Sequence, residues 1–184
     1  MSASRRIRTT STDQLSAEEF SEINALCEAA FRFPFAGVWE RVGQGIHVLA
    51  HSDGGLVAHA MIVDRRIFTG PELDVTLDAA YVENVATHPE AQGEGHGSAV
   101  MAEAGRIIQE EYEIGALGTR DQGFYRGLGW VVWAGSTFVR TPDGERIRTG
   151  GVDGEVMVLR TPRTPLGIAL EEPIAIDWRP GEPW

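Results

Sequence analysis

Val85-Ala86-Thr87-His88-Pro89-Glu90-Ala91-Gln92-Gly93-Glu94-Gly95-His96-Gly97 joins two segments of different hydrophobic period. The residues before it, Val75 to Ala86, are β-branched and apolar and read as a strand. Those after it, from about Ser98 to Tyr112, put Val100, Met101, Ala104, Ile107 and Ile108 on one helical face. Glycines at 93, 95 and 97 let backbone N–H groups turn toward one point with no Cβ in the way. The helix N-terminus adds unpaired donors and a partial positive charge. Strand, glycine loop and helix in that order form a cradle for a pyrophosphate. The G-x-G-x-G spacing is not the dinucleotide fingerprint, and no Gly-Lys-Ser/Thr follows to make a P-loop. A plain flexible turn is the other reading of the glycines alone.

Upstream, Ser16 to Phe31 reads as an amphipathic helix, with Ser16 as N-cap and Glu19 placed for a capping box. Pro34 breaks that helix, and Phe31 to Trp39 carries aromatic side chains into a loop. Ile46 to His51 and Leu56 to Phe68, joined through Asp53-Gly54, read as a hairpin. Downstream, a short apolar segment between Gly115 and Gly118 reads as a strand, and Asp121 to Leu128 as a short helix ended by Gly129. Trp130 to Val139, Val156 to Leu159 and Ile174 to Trp178 are further strand candidates. No repeat, low-complexity tract or linker interrupts the pattern. The expectation is one α/β domain over residues 1–184, with residues 1–12 a flexible N-terminus.

A chain of 184 residues suits a single sizeable core. Its formal net charge of -11 argues against nucleic-acid binding, which needs a basic footprint. An acidic surface attracts a cationic substrate at long range, or simply keeps the protein in solution. No apolar run approaches membrane-spanning length and residues 1–7 lack a signal-peptide core, so no membrane partner and a cytoplasmic location are expected. Cys27, the only cysteine, falls in the apolar stripe Ile23, Leu26, Cys27, Ala30, Phe31 and reads as a small buried hydrophobe. Five histidines without an HExxH or a Cys/His cluster give no metal site.

The segment Gln92-x-x-Gly95-x-Gly97, preceded by Val85-x-x-x-Pro89, resembles the acyl-CoA signature of the GNAT acetyltransferases. The resemblance implies a single-domain GNAT fold, a mixed and mostly antiparallel central sheet flanked by helices. It also implies acetyl-CoA as co-substrate. Backbone groups of Val85, Ala86 and Thr87 would meet the pantetheine arm, and Gln92, Gly93, Glu94, Gly95, His96 and Gly97 would hold the phosphates. Asp121 to Trp130 is similar to the family's second signature, which puts Tyr125 where a tyrosine protonates the departing thiolate. A phenol with a reference pKa of about 10 holds its proton at neutral pH and suits that task. A core aromatic with a satisfied hydroxyl is the alternative. Glu83, two residues before the cofactor-binding backbone, either takes the amine proton, directly or through a water, or binds the cationic acceptor. An outward solvated carboxylate is the third reading. Asn84 beside it is counted with the acceptor-binding residues.

More narrowly, Gly45-x-His47-Val48, His59-Ala60, Tyr81-Val82-Glu83-x-Val85-Ala86, Leu128-Gly129-Trp130-x-x-Trp133 and the tail Asp177-Trp178-Arg179-x-Gly181-x-x-Trp184 resemble the aminoglycoside 2'-N-acetyltransferases. By that resemblance the partner is a small-molecule aminoglycoside, the enzyme a homodimer, and Glu182 and Trp184 with its chain-end carboxylate close the acceptor site. The departures are as informative. Pro34 and Val38 stand where the family carries drug-binding aspartates, and Val152 replaces an acidic residue, leaving Asp153. Gly118 stands where a small hydroxyl residue is usual. Each lost carboxylate removes a charge-assisted hydrogen bond of roughly 1.5–3 kcal/mol. The expected acceptor is therefore less cationic than gentamicin. Kasugamycin, with fewer amines and a carboxylate of its own, fits, and some divergent members of this group acetylate it. The rival readings are a GNAT enzyme for another small amine and a non-catalytic protein that sequesters a cationic drug.

Overall fold

The computed structural model describes residues 5–35 and 37–184. In order along the chain are β1 (Arg6–Ser11), α1 (Ala17–Phe31), α2 (Val38–Val42), β2 (Ile46–Ser52), β3 (Gly55–Thr69), β4 (Val75–Thr87) and α3 (His96–Glu111). Then follow β5 (Ile114–Gly118), α4 (Gln122–Arg126), β6 (Val131–Val132), β7 (Thr137–Arg140), β8 (Arg146–Arg148), β9 (Val156–Arg160) and β10 (Ile174–Asp177). The strands form a mixed sheet in which β4–β5 and β7–β10 are parallel and the other pairs with a described register are antiparallel. The α/β expectation with a mostly antiparallel sheet is met.

Two compact units divide the residues, one taking those up to 63 with 82–106, the other 64–81 with 107–184. In the first unit β1 pairs antiparallel with β2, Arg6 opposite His51, and β2 with the first part of β3. Helix α1 begins as the sequence predicts. The Ser16 side chain accepts from Glu19 N–H at 3.1 Å, and the Glu19 carboxylate accepts from Ser16 N–H at 3.0 Å. Its buried stripe of Ile23, Leu26 and Cys27 packs with Phe35, Val38, Leu49 and Ala86. That burial pushes the Cys27 thiol up to about 12, as suits a small hydrophobe rather than a nucleophile.

In the second unit the strand order runs β6, β9, β5, β4, β3, β10, β7, β8. Its core joins Ile67, Leu77 and Tyr81 to Ile114, Trp133, Val158, Ile174 and Ile176. Among the described residues no helix is long and apolar enough to cross a membrane.

Three sequence-based expectations change. Residues 6–11, read as part of a flexible N-terminus, form β1, which satisfies the backbone groups along one edge of β2; residues 1–4 lie outside the described residues. The single strand expected over Trp130 to Val139 is two strands, β6 and β7. Between them the backbone of Gly135 comes so close to the chain at Glu172 that an added Cβ would lie 1.8 Å from the Glu172 carbonyl oxygen. Trp133 is fully buried there and donates its Nε1–H to the same oxygen at 2.7 Å. The helix expected from Ser98 begins at His96, so Gly97 lies in its first turn rather than in the loop.

Candidate active site

The first unit holds the glycine loop and the strand that enters it. Gly93 and Gly95 have φ of +81° and +78°, a region that side chains with a Cβ rarely occupy, so these two glycines carry the turn. The loop then runs into α3, a 16-residue helix whose first-turn N–H groups lack intrahelical acceptors. A diphosphate group fits this donor set. Gln92 reaches back to the Thr87 carbonyl at 3.5 Å. His96, 5% exposed, accepts from Arg5 Nε at 3.2 Å and lies 3.2 Å from the Glu94 carboxylate, while Arg5 Nη2 donates to the Glu94 carbonyl at 2.7 Å. Arg5 is thus a loop neighbour that the sequence reading missed, because it assigned the N-terminus to flexible chain. The only signal was the basic run Arg5, Arg6, Arg8.

Strand β4 is irregular just before that loop. Asn84 has φ +51°, one of three non-glycine residues with positive φ among those described. A left-handed residue of this kind costs about 1–2 kcal/mol and breaks the alternation of side chains along a strand. The break falls between Glu83 and Val85, two residues the sequence reading assigned to chemistry and to the cofactor arm. Glu83 and Asn84 are both half-buried. The Asn84 carbonyl accepts a hydrogen bond from His59 Nδ1 at 2.9 Å, and its Nδ2 is buried without a hydrogen-bond partner among the described residues.

Tyr125 lies in the second unit, on α4. The one-turn helix is closed by its carbonyl, which accepts from Leu128 N–H at 2.9 Å and Trp130 N–H at 3.2 Å. Its ring packs edge-on against Phe124 and Trp130, with centroids 4.9 and 6.4 Å apart. Burial, helped by the nearby Asp121 carboxylate, pushes the phenol up to about 12. It is protonated throughout the physiological range.

Also in the second unit, a cavity of about 540 Å³ is lined by Gly118, Arg120, Val152, Glu155, Glu182 and Trp184 among others. Four of the positions tied to the acceptor by resemblance, 118, 152, 182 and 184, meet there. An added Cβ on Gly118 would stand 3.1 Å from the Tyr81 hydroxyl, a tight approach, and 3.6 Å from the Trp184 backbone carbon, an ordinary contact with the tail. The tail is held at several points. Trp184 Nε1 donates to Thr149 Oγ1 at 3.0 Å, Arg65 Nη1 to the Pro183 carbonyl at 3.2 Å, and Arg179 Nε to the Glu182 carbonyl at 3.1 Å. Asp153 does not line this cavity. Its carboxylate accepts from Thr137 N–H at 3.0 Å, from Thr137 Oγ1 at 2.8 Å and from Arg148, and the Arg148 guanidinium holds it down at about 2. It is a structural acid that ties β7 to the turn before β9. Arg120 and Glu155, which the sequence reading did not single out, face the cavity as an ion pair at 3.0 Å. Nothing in their spacing marks them.

Residues 11–133 match the family described as an acetyltransferase (GNAT) domain. An aminoglycoside 2'-N-acetyltransferase of Mycolicibacterium fortuitum is 33% identical over 178 residues, 94% of this chain and 89% of that one. Among solved structures, the GNAT family N-acetyltransferase YhbS of Escherichia coli in complex with CoA superposes with a TM-score of 0.69 at 14% identity, over 97% of this chain and 91% of that one. A GCN5-related N-acetyltransferase of Kribbella flavida gives a TM-score of 0.56 at 21% identity over 72% of this chain; the match spans 34% of that longer protein. The cradle before α3, the strand that enters it and the match over residues 11–133 agree: the chain belongs to the GNAT acetyltransferase family and is, within it, a relative of the aminoglycoside 2'-N-acetyltransferases.

Proposed function

We propose that this acetyltransferase moves an acetyl group from acetyl-CoA to the 2'-amine of an aminoglycoside of low cationic charge, of which kasugamycin is the best-fitting example. The observation that carries the reading is the composition of the cavity lined by Gly118, Val152, Glu182 and Trp184. Those positions are spread over 67 residues of chain (184 minus 118, plus one), yet they share one pocket of about 540 Å³, ample for an aminosugar. Its lining carboxylates are Glu155 and Glu182. Val152 is apolar, and Glu155 is paired with Arg120. With Val152 apolar and Glu155 already paired, a polyamine finds fewer partners for its desolvated ammonium groups there, and an acceptor with fewer amines forgoes less.

Acetyl-CoA, when bound, supplies the acetyl group as an activated thioester. The backbone of Val85, Ala86 and Thr87 orients its arm, and Gln92, Gly93, Glu94 and Gly95, with His96 and Gly97 at the start of α3, bind its phosphates. Glu83 accepts the proton that the acceptor amine must lose. Tyr125 gives its hydroxyl proton to the departing sulfur, and its raised pKa keeps that proton available.

The experiment is a thiol-release assay with acetyl-CoA against a panel of amines, kasugamycin and gentamicin included, with mass spectrometry of the products. The expected result is a gain of one acetyl group on kasugamycin with a higher kcat/KM than for gentamicin. Efficient acetylation of gentamicin with none of kasugamycin overturns the substrate argument. Turnover of a simple amine or metabolite in preference to every aminoglycoside overturns the aminoglycoside reading.

A further inference from the structure

Two buried histidines form a line of hydrogen bonds that the reaction does not use. Thr12 Oγ1 stands 2.9 Å from His47 Nε2, His47 Nδ1 stands 2.9 Å from His59 Nε2, and His59 Nδ1 stands 2.9 Å from the Asn84 carbonyl oxygen. Both rings are fully buried, and Trp39 packs against each with centroids 6.1 Å apart. All of these residues belong to the first unit. The direction of the line follows from its last member. A carbonyl oxygen only accepts, so His59 must carry its proton on Nδ1. A neutral His59 then offers a bare Nε2, which obliges His47 to donate from Nδ1 and to accept at Nε2 from the Thr12 hydroxyl, whose one proton goes to the ring 2.9 Å away rather than to the Gly45 carbonyl at 3.1 Å. Burial holds both rings below the ordinary histidine range, His47 at about 4 and His59 at about 3, so both are neutral at physiological pH. The line is not a proton wire. It ends on a carbonyl, which cannot receive and pass on a proton.

What it can do is hold one peptide. Asn84 is the left-handed residue of β4, at φ +51°, between Glu83 and Val85. A strand that relaxed there to ordinary extended geometry would exchange the faces of the residues on either side. We infer that His59 is a positioning residue: its Nδ1–H pins the Asn84 carbonyl, fixes the irregularity in β4, and thereby aims Glu83 and the cofactor-binding backbone of Val85 to Thr87, while His47 donates to the Nε2 that this tautomer leaves bare. The inference rests on the acetyltransferase reading for its consequence and not for its geometry.

The test pairs a spectroscopic signature with a rescue. In the wild-type protein, long-range nitrogen–proton correlation spectra at neutral pH are expected to show both rings protonated at Nδ1 and bare at Nε2. His59→Leu removes the donor. It is expected to weaken acetyl-CoA binding in calorimetry by roughly tenfold, and to lower kcat with kasugamycin by roughly tenfold or more, the scale of a misplaced reacting group. His59→Asn, whose Nδ2 can occupy the donor position, is expected to recover both values to within roughly threefold, since it restores that one hydrogen bond. A His59 protonated at Nε2, or charged, at neutral pH overturns the inference without any substrate. So does a folded His59→Leu protein with wild-type cofactor affinity and turnover, or a His59→Asn protein as impaired as the leucine variant. Should His59→Leu fail to fold, the ring tautomers and the asparagine variant decide. Should wild-type protein leave kasugamycin untouched, the substrate reading fails, and the tautomers with the acetyl-CoA affinities still judge the role of His59.

Discussion

Tyr125 and Glu83 are single side chains whose roles separate by kinetics. Tyr125→Phe removes one hydroxyl and almost no volume from a ring packed against Phe124 and Trp130, so the fold is expected to persist. If the phenol protonates the departing thiolate, turnover falls by roughly 10²-fold, about 2.7 kcal/mol of barrier, with little change in the acceptor KM. Wild-type turnover would make Tyr125 a packing residue. Glu83→Gln keeps shape while removing charge and proton acceptor. As a base, its loss lowers kcat at neutral pH and is partly recovered at higher pH, where more of the amine is already neutral. As a binder of the ammonium, its loss appears in KM and deepens at low salt. A steady-state pH series on this one variant tells the two apart. Asp153 shows how far residue-level reading reaches. The resemblance puts Asp153 with the acceptor, whereas its carboxylate is engaged by Arg148 and Thr137, 5 and 16 residues away in sequence.

At the scale of elements, legibility followed the range of the interactions. Helix α1 was readable to its first residue because its start is set by Ser16 and Glu19, three positions apart. The β2–β3 hairpin and the strand, loop and helix from β4 to α3 were equally local. Strand β1 was not, since nothing in Arg6 to Ser11 announces that β2 lies beside it. The split between β6 and β7 depends on Glu172, which approaches Gly135 from 37 residues away (172 minus 135). The left-handed residue in β4 has its carbonyl held by a histidine 25 residues before it. Two substitutions test these readings. Gly135→Ala puts a Cβ into the Glu172 backbone and is expected to cost about 1–3 kcal/mol or more, a fall of several degrees in Tm by calorimetry. An unchanged Tm would mean that the 171–172 segment yields freely. Gly95→Val places a β-branched residue at φ +78° in the cradle, where its Cβ has space beside Arg5 but its backbone conformation does not suit it. The protein is expected to fold and to lose acetyl-CoA affinity, and unchanged binding by calorimetry would remove the loop from the cofactor site.

For the molecule as a whole, the question is how charge and burial combine as pH changes. With a formal net charge of -11, the chain repels itself at neutral pH, and mild acid relieves that repulsion as carboxylates take up protons. On this ground alone stability should rise as pH falls toward 5. The buried histidine pair acts in the opposite sense. His47 and His59 keep folded pKa values of about 4 and about 3 against an ordinary value of 6.5, so below pH 6.5 the unfolded chain binds protons that the folded protein refuses. Their contribution is complete above pH 6.5, shrinks as pH falls, and is fully lost only below their folded values. Each ring can remove up to about 1.4 kcal/mol per pH unit inside that window. Relief of diffuse surface repulsion, screened over a Debye length of about 8 Å at physiological salt, is the weaker effect. Acid sensitivity from depressed carboxylates, Asp153 at about 2 among them, begins only as pH drops below the ordinary carboxylate range, near 4. The two origins therefore separate by pH. The expected outcome is a urea midpoint that falls between pH 7 and pH 5 at 0.15 M salt, and a smaller fall in His59→Asn, which has one fewer buried ring to protonate. A fall equal in His59→Asn and wild-type protein would show that the His59 ring contributes nothing to the pH dependence and is not held below the ordinary histidine range.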